Sequence, residues 1–531
     1  MEKAALPLIE VEQFREILLW PFRLDIPKRD RTEQISDRIS READRLKASG
    51  WEEVTKSRLD ALSSLGSPQD GAADAYAEFV YFHPFIQDLL FSDPSPLRLF
   101  RLGAGIERME VSFGTGDPLI FSVERCHLYL LPPMGVALLA LEVSSETLGT
   151  LDRALTVLDT LRRAYPPYWI SEKEPGLSPD TVRWLGRGDT EIRPSEPLDR
   201  DQAINWVRTH HTSPLASHWR ALLQPLQFDP QHWRQLGDER MPVMAWLKVK
   251  HPEAISRGDW VRLALLDKPD GHALPYGTAY LTDFEARHCY DAFWDPKEGK
   301  TTRTLLSGHS FVMVGNDDFF TTHARTHFRR HYFQMGLIAH LQIAALLALS
   351  HRLSHASDLS DPAAEDILKA ALDFTHRLWF PDLSNHSQSR ELFQHWRSFL
   401  GTETLYAQVM REAQDHLAFR NARSDRAAAD AANTLSLVAT VGLTLSLVVG
   451  LLGINVLIPG QTGSSVPNAA EPVTRQAVWA FVETTIAGVL GCTGLGLGLI
   501  ATRRRWREAG WVAAVLGLVA MVAAYLAQRQ L

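Results

Sequence analysis

Cysteine is scarce in this 531-residue chain: Cys126, Cys289 and Cys492 stand far apart and form no CxxC pair. That spacing offers neither a zinc knuckle nor a disulfide framework, and it suits a reducing compartment. A Gly-rich phosphate loop, a GxSxG elbow and an HExxH helix are also absent. An enzymatic reading therefore has no motif behind it. Excess positive charge is missing too. A net charge of −8 and a pI near 6.2 argue against nucleic acid as a partner. The first residues, MEKAALPLIEVEQF, carry acids where a cleaved signal has a long apolar run, so no cleaved signal is expected. The mean hydropathy of −0.14 averages over two unlike portions, because the apolar residues concentrate after Thr434.

What stands there is a run with no ionisable side chain, residues 434–458, TLSLVATVGLTLSLVVGLLGINVLI. As a helix it spans roughly the 30 Å hydrocarbon core of a bilayer. Its polar members are small, and Thr434, Ser436, Thr440, Thr444 and Ser446 can bond back to their own helix. The run closes on Gly453-Ile454-Asn455, then Pro459 and Gly460, which cannot continue a helix. A polar loop, 459–476, leads to a second apolar run, 477–500, and residues 510–527 form a third, barely long enough to cross. Arg420, Arg423 and Arg426 precede the first run, and Arg503, Arg504, Arg505 and Arg507 follow the second. The arginine excess on these flanks puts both in the cytoplasm and the loop outside.

Upstream, residues 1–316 read as one α/β region. A polar helix is expected over 31–65, and strands over 106–143 with turns at 114–118 and 132–135. An amphipathic helix follows, capped by Ser144 or Ser145. A long loop is expected over 165–200, with further strands at 242–248, 260–266 and 310–315. From Asn316 the pattern turns to long helices, a stalk over 317–433. Asn316, Asp317 and Asp318 offer caps for a helix to about 354, whose apolar stretch 335–349 is broken by His340 and Gln342 and so reads as buried. A second helix covers 362–378. A third starts near 388 and breaks at Gly401, and from Thr402 one helix can run unbroken through the first apolar run.

Gly453-Ile454-Asn455, preceded by Gly450-Leu451-Leu452 at the end of such a helix, resembles the Gly-Met-Asn signature of CorA-type divalent-cation transporters. The Ile spelling, with Ile458-Pro459-Gly460 after it, is closer to the ZntB branch. The resemblance covers about residues 402–505. It implies a homo-oligomer, normally a pentamer, in an inner or plasma membrane with the N-terminal region cytoplasmic. It also implies divalent cations (Mg²⁺, Zn²⁺, Co²⁺ or Ni²⁺) as the transported species, no tightly bound cofactor, and a pore lined by the first span. The family usually stops after two spans, so the third apolar run is a departure. The rival from another class is a membrane-anchored signalling or defence effector whose N-terminal region binds a ligand and whose pore is non-selective or absent.

Stepping back from Gly453 by alternating threes and fours gives Gly450, Ser446, Leu443, Ala439, Ser436, Ala432, Ala429, Asp425, Ala422, Ala418 and Asp415. The 3.5-residue period selects almost only small or acidic side chains. Facing an axis, that seam leaves room for water, with Leu443 as a hydrophobic constriction and Asp425 and Asp415 as acidic rings that gather cations. The competing reading is a dry small-residue packing seam. Asn455 supplies amide oxygens for a still-hydrated ion at the outer mouth, or else only a helix cap. His323, His327 and His331 repeat at i, i+4 and i+8, a spacing that can hold Zn²⁺. Arg325, Arg329 and Arg330 beside them oppose a cation and favour a plain packing face.

Overall fold

A computed structural model of the chain describes residues 8–24, 35–54, 71–92, 95–103, 105–113, 117–167, 169, 178–226, 233–269, 274–355, 361–453, 482–483, 486–491, 493–494 and 504–529. The chain divides into two units, Met1–Gln414 and Asp415–Leu531.

The first unit is built on β1, Glu10–Leu24, a 15-residue strand in the middle of a 13-stranded sheet. The other strands of its main path are β2 (Trp51–Glu53), β3 (Arg98–Leu102), β4 (Leu119–Leu131), β5 (Val136–Ser145), β6 (Val243–Val249), β7 (Cys289–Tyr290), β8 (Arg303–Leu306) and β9 (Ser310–Gly315). Their spatial order is β7-β8-β9-β6-β1-β5-β4-β3-β2. Only β6 and β9 pair in parallel along this path. A parallel pair needs a crossover, and here the chain between them folds into helices, including Arg257–Leu265. Side chains of β1 alternate between the two faces. Phe14, Leu18, Trp20 and Phe22 enter one core, whereas Ile17 and Leu19 enter the other. A strand buried on both sides reads as a near-continuous apolar run, which is the pattern of ILLWPF.

Helices cover both faces. On the first lie α1 (Ile35–Ala48), α3 (Leu151–Leu161) and α4 (Arg257–Leu265), through Ile39, Leu155, Leu158 and Trp260; α2 (Gly71–Tyr81) is tied to the other face. On the second lie α5 (Phe320–Ser354), α6 (Asp361–Arg377), α7 (Ser387–Leu400) and the first turns of α8 (Thr402–Gly453). By length and composition α5 could cross a membrane, but 83% of its qualifying window is buried inside the protein. Gly336 is where it lies closest: a Cβ there would meet the Trp396 ring at 2.7 Å and Met244 Sδ at 2.9 Å. Gly401, with φ +65°, closes α7 in the left-handed region and lets α8 start afresh.

Several local expectations are corrected. The helix expected over 31–65 ends at Ala48 and gives way to β2. Residues 260–265 are helical and Leu266 closes the helix, because Ser256 Oγ accepts from the Asp259 N–H at 3.0 Å and caps α4. The cap of α3 is Thr150, since β5 keeps Ser144 and Ser145 in extended pairing with β1. Within the loop expected over 165–200, Thr181–Leu185 is a strand. The change of pattern at Asn316 is not a change of core: α5 to α7 and the start of α8 belong with the sheet, and the unit ends inside α8. The reason is that α5 buries its bulky side chains on the sheet rather than on a separate stalk.

One charge cluster fastens α5 to that sheet. Glu142 on β5 is fully buried; its Oε1 accepts from Arg15 Nη1 at 2.8 Å and from Arg329 Nε at 2.7 Å. Arg125 Nη2 stands 3.4 Å from Oε2, donates to the Arg329 carbonyl at 2.9 Å, and its guanidinium lies 3.6 Å from the Phe333 ring centroid. Burial works to raise the Glu142 carboxyl, but the guanidiniums of Arg125, Arg329 and Arg15 outweigh it and hold it below the usual range. A second buried carboxylate, Glu78, takes Gln334 at 3.0 Å and Arg330 at 3.4 Å. Removing one side of a buried ion cluster leaves uncompensated charge and costs roughly 3–5 kcal/mol. Glu142→Ala is therefore expected to lower unfolding free energy by about that amount in denaturant titrations followed by tryptophan fluorescence. A loss under about 1 kcal/mol would place the cluster among the weak surface pairs.

Candidate pore helix

The helix expected from Thr402 runs without a break to Gly453, 52 residues, or about 78 Å at the helical rise. Its start is packed, with Val409 and Ala413 buried. Beyond that the cover ends: every residue from 421 to 436 is exposed within the chain. The exposure includes the seam positions Ala422, Asp425, Ala429, Ala432 and Ser436, and Asp415, Ala418 and Ala439 are exposed as well. Off the seam, Leu435 and Val438 are 71% and 62% exposed, so both faces are open. Thr434 Oγ1 donates to the Asp430 carbonyl and Thr440 Oγ1 to that of Ser436, each at 2.8 Å. These hydroxyls are thus satisfied along their own helix, as an apolar setting demands.

An unbroken helix keeps the positions from Asp415 to Gly453 in one register. Leu443, Ser446, Gly450 and Gly453 belong to this helix by backbone; their side chains, with Ile454, Asn455 and the loop 459–476, lie outside the described residues.

The histidine trio is elsewhere, at the start of α5. Two π-helical turns, Phe320–Ala324 and Phe328–Tyr332, carry His323 and His331, with His327 between them. His331 is buried against Tyr81, ring centroids 3.9 Å apart, and Tyr81 stacks in turn on His386 at 4.5 Å. His327 meets His331 edge-on at 4.9 Å, whereas His323 lies over Phe319. Among the described residues no three His, Cys, Asp or Glu side chains form a set able to hold a metal ion. The zinc reading of His323, His327 and His331 is therefore corrected: the innermost ring is used for aromatic packing. Tyr81, far upstream of His331, and His386, downstream at the entry to α7, complete the stack through tertiary folding rather than any local pattern, and the π turns have no signal in the sequence. No family model matches the chain, and neither does any curated protein.

Burial, then the neighbouring His327 charge, pushes His331 down to about 3, with the Ala77 backbone opposing. Burial likewise takes His127 and His218 down to about 3, and His340 to about 4. A histidine whose folded pKa is lowered is neutral in the fold but protonates in the unfolded chain below about 6.5. Stability is therefore intact above that pH and falls as pH drops from 6.5 toward 3, by roughly 1.4 kcal/mol per pH unit for each such ring. His331→Phe keeps a ring on Tyr81 and removes one titration. Its loss of stability between pH 7 and pH 5 is expected to be smaller than the parent's by roughly 2 kcal/mol in matched denaturant titrations. Equal losses would mean that His331 is accessible to protons in the fold.

Proposed function

We propose that this chain is one subunit of a homo-oligomeric, multi-pass membrane transporter that passes divalent cations through a pore lined by α8. The observation that carries the reading is the 52-residue helix itself, uncovered on every side over 421–436 and running on into an uncharged apolar stretch. A lone helix of that kind needs neighbours in its polar half and a bilayer in its apolar half. Identical copies around an axis satisfy the first need, and the small-residue seam gives them an inner face. Five is the number that the CorA/ZntB resemblance implies. The N-terminal unit lies in the cytoplasm in this reading, with the membrane of the bacterial inner or plasma type.

In the passage, Asn455 admits a hydrated ion by hydrogen bonds from its water to the amide oxygens. Gly450 and Gly453 let the backbones approach there, and Ile454 belongs to the same filter. Below, Ser446, Ser436, Ala439 and Ala432 line a path interrupted by Leu443, which blocks it by dewetting. Asp425 and Asp415 gather cations at the cytoplasmic end. The outer loop carries one acid, Glu471, so attraction at the entrance is weak and Zn²⁺, Co²⁺ or Ni²⁺ compete with Mg²⁺. No resident cofactor is needed.

Purified protein in vesicles, loaded with an ion-reporting dye, tests this across Mg²⁺, Zn²⁺, Co²⁺ and Ni²⁺. Losing hydrogen bonds to a charged partner costs roughly 1.5–3 kcal/mol, so Asn455→Ala is expected to cut uptake of the preferred ion on the order of tenfold or more. Leu443→Ala is expected to raise basal flux. Uptake that is the same in parent and Asn455→Ala refutes the filter. Flux that appears only after a soluble ligand is added favours the signalling effector instead.

A further inference from the structure

The second and third apolar runs meet through their smallest residues. On α9 (Arg504–Arg529), Gly510, Ala514 and Gly517 are buried, while Val512, Val515, Leu516, Leu518 and Val519 are 58–65% exposed. In the helical residues 486–491 and 493–494, Ala487 and Gly494 are buried, while Ile486 and Leu490 are more than half exposed. The contact is backbone against backbone. A Cβ on Gly517 would lie 2.4 Å from the Gly491 nitrogen, and one on Gly494 would lie 2.3 Å from the Ala514 nitrogen. As the position falls from 494 to 491, its neighbour rises from 514 to 517, so the two helices run antiparallel.

This pairing inverts the arrangement of a water-soluble helix pair, which turns its large apolar side chains inward. Small residues at the contact and bulky aliphatic ones outside are what a hydrocarbon surrounding selects, because there is no gain from hiding leucine from lipid. The remaining features agree. Thr493 Oγ1 donates to the Val489 carbonyl at 2.6 Å, leaving no bare hydroxyl. Charged side chains of α9 are confined to its ends, Arg504, Arg505, Arg507 and Glu508 at one and Arg529 at the other. Its 26 residues give roughly 39 Å, more than the roughly 30 Å required.

We infer that α9 is a third membrane span, closed on the second as an antiparallel hairpin with lipid acyl chains on its outer face. The basic cluster of residues 503–507 then lies on one side of the membrane and the far end of α9 on the other, the side of loop 459–476. The inference rests on the membrane reading proposed above and adds a span to the two that the resemblance implies.

The test uses full-length chain in intact cells, with a membrane-impermeant maleimide and peptide mapping of the labelled sites. Arg503→Cys and Gln530→Cys are made separately, and membranes are washed with alkaline carbonate. Retention after the wash, with the two positions reacting from opposite sides, is the expected result. Retention with both positions reacting from the same side overturns the third span and leaves the membrane reading standing. Release by carbonate refutes the membrane reading, and the third span with it. Gly517→Leu, added to Gln530→Cys, is expected to abolish the opposite-side labelling by forcing the backbones apart; unchanged labelling would refute the glycine contact as what holds the span.

Discussion

A helix left open on all sides over residues 421–436, among the described residues, is the constraint on which the reading of this molecule depends. Isolated helices are marginal in water, and proteins stabilise them by burying one face. Helix α8 buries only its first turns, then exposes all sides over 421–436 before entering a stretch without charge. Fully burying a Leu or Val side chain is worth roughly 1.5–3 kcal/mol, and Leu435 and Val438 forgo most of that within the single chain. In the reading proposed above, the missing cover comes from other molecules. Lipid suits the apolar half, and further copies suit the half that carries Arg420, Arg423, Asp425, Arg426 and Asp430, where opposite charges on neighbouring copies can meet.

The first unit gives that helix a stiff root. Val409 and Ala413 share a core with α5, α6 and α7, and that core lies on the face of the sheet to which Ile17, Leu19 and Trp246 contribute. Glu142 and its three arginines pin the start of α5 to β1, β4 and β5. A close-packed core responds to strain by moving as a body rather than by deforming locally. A displacement of α5 therefore shifts the first turns of α8.

Much of this was legible in the sequence where one rule acted alone. The unbroken helix from Thr402, the break at Gly401, the strands of β4, β5, β6 and β9, and the burial of α5 despite its hydropathy all follow from period, glycine placement and the polar interruptions His340 and Gln342. Asp317 does cap α5, its Oδ1 accepting from the Phe320 N–H at 2.7 Å. Reading failed where two rules conflicted. Residues 260–266 alternate like a strand, but the Ser256–Asp259 cap decided the outcome. Strand β1 was missed because burial on both faces erases alternation. The histidine trio had metal spacing, yet His331 packs on Tyr81 and His386, partners that only tertiary structure brings together. The glycines of the hairpin, Gly491, Gly494 and Gly517, had no reading of their own, since closeness of two backbones is invisible until both helices are placed.

Two apolar helices of this chain separate hydropathy from environment. By hydropathy α5 qualifies as a span, yet it hides Leu337, Ile338, Leu341, Leu346 and Leu349 completely. Helix α9 does the reverse, hiding glycine and alanine and turning Val515, Leu516 and Leu518 outward. The same residue types thus point inward on α5 and outward on α9. Water drives large apolar groups together, whereas a hydrocarbon surrounding is indifferent to them and leaves close backbone contact as the main source of association. The direction in which the bulky side chains face is the better indicator of the solvent around a helix; it places α5 on the sheet and, in the membrane reading proposed above, α9 in the bilayer.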